Sequence, residues 1–253
     1  MFGDDTDRQW EKFGRADPYF GVITDETYRQ ANLTEEAKKR FFRSGELHVE
    51  HVVAQTRKHL AADIGLGRVL DFGCGVGRTL IPFCAVAQHV VGADISPSML
   101  EEAKRNCDIR SVQNASLVLA DDAFLAADDA FDLVHSSIVF QHVPMPRGIK
   151  IFRALMGKLV PGGIGVMEMA YAALPDRRLG PWLKRNVPWA NSLANLFRGR
   201  PVGEPMMQMN AYDLNQVFAI LQSTGVVAFY AEFTDHGGYR GITLYCRKPQ
   251  IDR

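Results

Sequence analysis

The feature that most constrains this 253-residue chain is the stretch from Val69 to Arg78, which reads V-L-D-F-G-C-G-V-G-R. Two apolar residues lead to Asp71, and glycines then follow at every second position, at Gly73, Gly75 and Gly77. The pattern predicts a buried strand that ends in a tight glycine turn and opens a helix. Glycine has no Cβ and tolerates positive φ, so the turn can approach a ligand closely. The free N–H groups of the helix attract negative groups. The stretch therefore predicts a nucleoside-cofactor site.

Composition limits the class of protein around this turn. Lys plus Arg equals Asp plus Glu at 29 each, so the whole chain shows no bias towards polyanions. The four cysteines are scattered, the first residues are acidic and polar, and no stretch reaches the roughly 18 to 20 apolar residues that a membrane helix needs. We expect a soluble, cytoplasmic protein with no integral membrane contact and no disulfide framework.

Short apolar runs alternate with amphipathic segments from residue 68 onwards, which predicts βαβ units and a parallel sheet. A short turn before the last run makes the final strand pair antiparallel. The predicted strands are Arg68–Phe72, His89–Asp94, Leu117–Ala120, Phe131–Ser136, Gly163–Ala170, Val226–Phe233 and Gly241–Arg247. The predicted helices are Arg78–Ala87, Pro97–Cys107, Pro146–Leu159 and Tyr212–Thr224.

Two regions flank this pattern. Residues 1–60 are predicted to form a helical cap, with a loop at residues 17–21, a helix that begins after Thr34, and an interruption at Ser44 or Gly45. Residues 61–253 would form the main domain, with a proline-rich insertion at residues 171–210 that serves as a lid. The basic, Trp-containing part of that insertion would receive an anionic or glycosidic acceptor, or would be a solvated flap.

The glycine spacing differs from the dinucleotide pattern, since G-x-G-x-G replaces G-x-G-x-x-G and the sixth position is Arg78. Asp94 ends the next strand, where a carboxylate can accept from both ribose hydroxyls. Asp121-Asp122-Ala123 follows the third strand and offers a carboxylate and a backbone N–H to an adenine. We prefer Asp122 over Asp121 for that role.

With F-D-L-V-H-S-S and L-V-P-G-G added, these motifs resemble the class I S-adenosylmethionine-dependent methyltransferases from about residue 68 to residue 170. The resemblance implies a Rossmann-like, doubly wound α/β fold with a seven-stranded sheet of order 3-2-1-4-5-7-6 and an antiparallel strand 7. It implies S-adenosyl-L-methionine as the cofactor. The cofactor contacts that we carry over or add as hypotheses are Asp71, Gly73, Cys74, Gly75, Gly77, Arg78, Asp94, Ile95, Met99, Asp122, Ala123, Ser137, Tyr19 and Arg43.

His142 is the candidate catalytic base, in the loop after the fourth strand. A histidine titrates near neutral pH, which suits removal of a proton from an acceptor. The alternative is that His142 bonds to the backbone and fixes the turn at Val143-Pro144. His236 is a weaker second candidate. His48 and His51 share a predicted helix face without a metal-binding motif, so we interpret them as a solvated face.

These observations predict a methyltransferase that acts on an oxygen or nitrogen of a small molecule. A protein or RNA methyltransferase lacks support, because Ser136-Ser137-Ile138-Val139 stands where an Asn-Pro-Pro-Tyr-type signature would lie. A non-catalytic S-adenosylmethionine-binding subunit and a nicotinamide dehydrogenase are the remaining alternatives. A neutral chain also argues against nucleic-acid binding.

Overall fold

The computed structural model describes residues 5–61, 64–174 and 207–250. Seven strands form one sheet of order β3-β2-β1-β4-β5-β7-β6, in which β7 is antiparallel to both of its neighbours and the other pairs are parallel. The predicted strand order is therefore confirmed. The strands are β1 Arg68–Phe72, β2 His89–Asp94, β3 Ala115–Leu119, β4 Phe131–Ser136, β5 Leu159–Ala173, β6 Phe229–Asp235 and β7 Tyr239–Arg247.

Helices cover both faces of this sheet. In chain order the described α-helices are α1 Asp5–Ala16, α2 Pro18–Val22, α3 Glu35–His59, α4 Leu80–Cys84, α5 Pro97–Ile109, α6 Asp122–Ala126, α7 Met145–Gly157 and α8 Leu214–Ser223. Single 3₁₀ turns lie at Glu26–Tyr28 and Phe140–His142. The predicted insertion at 171–210 falls mostly on residues 175–206, which lie outside the described residues.

Side chains of β1 alternate between two hydrophobic cores. Leu70 packs with α7 and α8 on one face, and Val69 packs with α3 and α4 on the other. Both are fully buried, as expected for a strand covered on two faces. The carboxyl ends of β1, β2 and β4 therefore meet at one edge between two packed layers.

A third core joins the N-terminal helices to α5. It contains Phe13, Tyr19, Phe20 and Phe41 together with Met99 of α5. Glu11 of α1 strengthens this attachment, because its carboxylate accepts hydrogen bonds from the Ser96 hydroxyl and from both the backbone and the hydroxyl of Ser98. The N-terminal helices therefore lie over the glycine turn.

Two predictions in the N-terminal region are wrong. Residues 17–21 are not a loop, since Pro18 takes the first position of α2, where its missing N–H costs nothing. The helix that begins after Thr34 is capped by that side chain as predicted, but it continues without interruption to His59. A Cβ on Gly45 would lie 1.9 Å from the backbone oxygen of Arg78. Gly45 therefore permits close packing of α3 on the glycine turn.

The sequence analysis also missed α6. Asp121 caps this short helix by accepting from the N–H of Phe124, and Asp122 is its first residue. The D-D-A motif is therefore the start of a helix after β3. Among the described residues, no helix has the length and apolar character required to cross a membrane.

Candidate functional site

A pocket lies at the carboxyl ends of β1, β2 and β4, where α/β folds of this kind bind ligands. Its volume is about 910 Å³, which includes the part that is open to solvent. Nine of the predicted site residues line it: Gly73, Cys74, Gly75, Arg78, Asp94, Ile95, Met99, Ser137 and His142. The structure therefore brings these nine residues together around one pocket.

The glycine turn has left-handed backbone at each of its three glycines, with φ values of 76° at Gly73, 53° at Gly75 and 91° at Gly77. Only glycine adopts such angles without strain, which explains the G-x-G-x-G spacing. Gly73 and Gly75 line the pocket, whereas Gly77 shapes the turn from behind. Cys74 lies between the first two, and burial raises the pKa of its thiol. Cys74 therefore fills space in the turn as a neutral side chain.

Asp94 bridges the glycine turn and the start of α5. Its two carboxylate oxygens accept from the backbone N–H of Gly75 and of Ser96, each at 2.9 Å. The helix cap itself is Ser96, whose hydroxyl accepts from Met99. Each oxygen of Asp94 keeps a further lone pair, which a ligand hydroxyl can use. Burial raises the pKa of Asp94 to about 6, against the lowering effect of the two backbone hydrogen bonds.

Arg78 is the most unusual group in the wall. It is 7% exposed, its Nε is buried without a hydrogen-bond partner, and none of the ion pairs of the described residues includes it. Burial lowers its pKa, while the carboxylates of Asp71 and Glu168 raise it. The guanidinium nevertheless stays charged at neutral pH. A buried cation that lines a pocket without a partner is costly unless an anionic ligand completes it.

Asp71 does not reach the pocket. One of its oxygens accepts from the Thr79 hydroxyl at 2.8 Å, and the other pairs with Nδ1 of His135 at 2.7 Å. Nε2 of His135 shares a hydrogen bond of 2.8 Å with Nε2 of His48. Burial, with His135 and Arg78 nearby, lowers the pKa of His48 to about 3, so His48 is neutral. The interpretation of His48 as part of a solvated face is wrong.

This chain of polar groups supports the floor of the glycine turn. The sequence analysis missed it, because the contact between α3 and β4 joins residues 87 positions apart. Among the residues that the structure describes, no cluster of His, Cys, Asp or Glu has the arrangement of a metal site.

His142 lies in the 3₁₀ turn after β4, 5% exposed. Its Nδ1 donates to the backbone oxygen of Gln208 at 2.7 Å, since a carbonyl can only accept. Trp10 of α1 packs against its ring, with centroids 5.0 Å apart. Burial lowers the pKa of His142 to about 4, against the hydrogen bond to Gln208. At neutral pH the ring is therefore uncharged and Nε2 carries a lone pair, but the low pKa makes His142 a weaker base than an ordinary histidine.

The remaining predicted residues lie elsewhere. Tyr19 is buried, but its hydroxyl donates to Glu102 and Asn106, away from the pocket. Arg43 is exposed on α3 and pairs with Glu46 and Glu50. Both predictions are corrected, because neighbours on α5 and α3 occupy these side chains.

Asp122 and Ala123 are exposed in the first turn of α6 and are not among the lining residues. Ala120, the first residue after β3, lines the pocket instead. The adenine role of Asp122 stays a prediction.

Helix α1 closes the pocket from the side opposite the sheet. Thr6, Asp7 and Trp10 line it, and Asp7 forms an ion pair of 2.6 Å with Arg147 of α7, which also lines it. No sequence motif indicated these residues. The sequence predicted only that they belong to a helical cap over residues 1–60.

Comparison with known proteins identifies the domain. Residues 69–163 match a family model described as a methyltransferase domain. The chain carries a class I S-adenosylmethionine-dependent methyltransferase domain. The cofactor of this domain class, S-adenosylmethionine, has a ribose, a carboxylate and no phosphate. The carboxylate of Asp94 and the guanidinium of Arg78, whose Nε has no hydrogen-bond partner among the described residues, fit those features.

Curated relatives and solved structures agree with this assignment. A trans-aconitate 2-methyltransferase of Methylobacterium radiotolerans is 30% identical over 57% of this chain and 54% of the relative. A ubiquinone biosynthesis O-methyltransferase of Cereibacter sphaeroides is 30% identical over 46% of this chain and 47% of the relative. The chain thus spans about half the length of these curated relatives.

The structure of magnesium protoporphyrin IX methyltransferase from Synechocystis with bound SAH has a TM-score of 0.64. It covers 97% of this chain and all of that one, at 20% identity. At that identity the likeness shows the fold.

Proposed function

We propose that this protein is an S-adenosylmethionine-dependent methyltransferase that transfers the methyl group to an oxygen or nitrogen of a small molecule. The observation that carries the proposal is one pocket lined both by the residues proposed to bind the cofactor and by the residue proposed as the base. The glycine turn and Asp94 form one side, and Ser137 with His142 forms the other. The curated relatives named above, which are called trans-aconitate and ubiquinone biosynthesis methyltransferases, support a small acceptor.

The cofactor, when bound, supplies a methyl group activated by a positively charged sulfur. On the protein side, Asp94 is proposed to accept from ribose hydroxyls, and Arg78 to donate to the cofactor carboxylate. Ile95 and Met99 are proposed to flank the adenine. These groups orient one reactant and exclude water, which is the main contribution that a protein makes to such a displacement.

The acceptor is proposed to enter beneath α1, between Trp10 and the wall at Ser137 to Val139. Nε2 of His142 would take the proton from an acceptor hydroxyl, while its Nδ1–H keeps the ring in place through Gln208. We place acceptor recognition in the proposed cap, residues 1–60, because side chains of α1 line this end of the pocket.

Two measurements test this function. Calorimetry should show binding of S-adenosylmethionine and S-adenosylhomocysteine, and no binding of NAD. Incubation with methyl-labelled cofactor should transfer label to a small-molecule fraction of a cell extract. Removal of protein and RNA from the extract should leave that signal unchanged. Binding of NAD alone, or label found only in protein or RNA, would contradict the proposal.

A further inference from the structure

Glu168 is a buried carboxylate on β5, directly behind the pocket wall. It is 5% exposed and does not itself line the pocket. One of its oxygens, Oε2, accepts from the hydroxyl of Ser137 at 2.8 Å and from the backbone N–H of Ile138 at 3.1 Å. Ser137 and Ile138 both line the pocket. Glu168 therefore holds two consecutive wall residues through one atom.

The backbone that Glu168 holds is strained. Ile138 has a φ of 59°, and only one other non-glycine residue in the described ranges, Ser111, has a positive φ. A β-branched residue is a marked outlier in this region, and such residues persist only where their surroundings enforce them. The charge-assisted hydrogen bond from the Ile138 N–H is the contact that can do so.

The second oxygen of Glu168 faces a different loop. Oε1 lies 2.6 Å from Nε2 of His236, which lies in the turn between β6 and β7. One carboxylate thus ties the β4 loop, across β5, to the β6–β7 turn. Burial alone would raise the pKa of Glu168, but the hydrogen bonds from His236 and Ser137 outweigh it and hold the pKa at about 2.

Other charged groups face this pair from neighbouring elements. Glu168 interacts electrostatically with Arg78, His48 and Tyr245. His236 interacts electrostatically with Asp235 and His142. The hydrogen bond to Glu168 raises the pKa of His236, against partial burial.

The raised pKa of His236 determines how the stabilising contribution of its contact with Glu168 changes with pH. Because the folded pKa lies above the unfolded one, the charge on His236 stabilises this contact fully below about pH 6.5. The contribution disappears as the pH rises through the folded pKa.

We propose that Glu168 is a positioning residue that clamps the wall at Ser137–Ile138 against His236 and so sets the shape of the acceptor end of the pocket. Its catalytic consequence rests on the proposed methyl transfer. The clamp itself is a property of the folded chain. A wall displaced by about 1 Å costs such a reaction up to roughly a hundredfold in rate.

The first test is amide hydrogen exchange at Ile138 in Glu168→Gln. The Gln oxygen can still accept from Ser137 and Ile138, but it carries no charge and its amide nitrogen must donate to His236, so both hydrogen bonds weaken. Exchange at Ile138 should therefore accelerate by about threefold or more. Glu232→Gln is the matched control, because Glu232 on β6 also bonds a histidine, His51 at 2.7 Å, away from the pocket. Exchange at Ile138 that is unchanged in Glu168→Gln, or that rises equally in Glu232→Gln, would overturn the clamp.

The second test is a readout that a general loss of stability would not move. Titration of His236 by NMR should show its pKa falling by about one unit or more in Glu168→Gln, and not in Glu232→Gln. If Glu168→Gln fails to fold, His236→Gln replaces it, since His236 lies half-buried on a turn. That variant should raise exchange at Ile138 less than loss of the carboxylate would. If exchange at Ile138 is unchanged in His236→Gln, the clamp is contradicted.

The third test links the clamp to the reaction. With the small-molecule fraction that the wild type labels, Glu168→Gln should transfer label about ten to a hundred times more slowly. Its affinity for S-adenosylhomocysteine should stay within about threefold. An unchanged rate would refute the positioning role. If the wild type binds no cofactor and labels nothing, the proposed function fails, while exchange and titration still decide the clamp.

Discussion

The two ends of the pocket are built in different ways. At the glycine turn, Asp94 bonds to the backbone of Ser96, two residues away, and of Gly75, nineteen residues away. At the acceptor end, Glu168 bonds to His236, sixty-eight residues away. The first set of contacts lies within one strand–turn–helix–strand unit, and the second crosses the sheet between separate loops.

We therefore expect substitutions at the two ends of the pocket to have different effects. A change at the glycine turn disturbs groups that the backbone of one unit already orders, so it should alter cofactor affinity. A change at the acceptor end disturbs side chains that hold one another, so it should alter the rate of transfer. The predictions below challenge that separation, beginning with the largest expected effect.

The strongest challenge is a pair of substitutions at His142. Asn places an amide near Nδ1, so His142→Asn keeps the donor to Gln208 and removes Nε2. It should lower the transfer rate by about 10²- to 10⁴-fold with a hydroxyl acceptor, with little change in melting temperature. His142→Gln removes the donor instead and should lower the melting temperature. If His142→Asn transfers at the wild-type rate, His142 only fixes the turn and the base role is wrong.

Asp94→Ala should weaken binding of S-adenosylhomocysteine by about 10- to 150-fold, which is the worth of a charge-assisted hydrogen bond. Calorimetry measures this loss directly. Asp122→Ala is the control, since Asp122 is exposed on α6 outside the pocket wall. Equal losses in both variants would restore the adenine role of Asp122, and no loss in Asp94→Ala would contradict the ribose assignment.

Arg78→Met removes the buried charge and keeps the length of the side chain. Affinity for S-adenosylhomocysteine should fall by about tenfold. Affinity for methylthioadenosine, which lacks the carboxylate, should not fall. Without ligand, the free energy of unfolding should be unchanged or higher, because an unpaired buried cation is lost.

Arg43→Ala serves as the control for Arg78→Met, since Arg43 is 56% exposed and pairs with Glu46 and Glu50. It should leave both affinities within about twofold. A large loss in Arg43→Ala would reinstate the original prediction of a carboxylate contact at that residue.

The smallest expected effect is a pH dependence of cofactor affinity. Burial raises the pKa of Asp94 to about 6, and donors from the ribose favour the charged form. Binding should therefore release a proton near this pH, and affinity should fall as the pH drops, by about fourfold between pH 7 and pH 5.5. Calorimetry in buffers of different ionisation enthalpy measures the number of protons released on binding. Asp94→Asn should abolish this release.

Several strands were predictable to the residue. β1, β2 and β4 have the predicted bounds, because each is built around two adjacent apolar residues that the sheet buries on its two faces. β5 was predicted to begin at Gly163 but begins at Leu159. Pro161 suggested a break, but it falls beside an irregularity in the pairing with β4, where the missing N–H is tolerated.

The errors share a physical cause. Pro18, Gly45 and Arg43 were interpreted from local propensity, yet burial against α5, contact with Arg78 and pairing with two glutamates decide their roles. Propensity is a weak preference that tertiary contacts override. Glu168 was not predicted at all, because a single glutamate within a strand has no local sequence pattern that indicates a role.

The sequence by itself determined the alternation of strands and helices, the glycine turn and the acidic end of β2, since strand periodicity and left-handed backbone depend on neighbouring residues. The sheet order was predicted from the resemblance to a known family. Only the tertiary structure decided that Arg78 is a buried cation with no ion pair among the described residues, that α1 covers the pocket, and that Glu168 holds Ile138. Those facts depend on side chains that are distant in the chain and meet only when the sheet and its helices are packed.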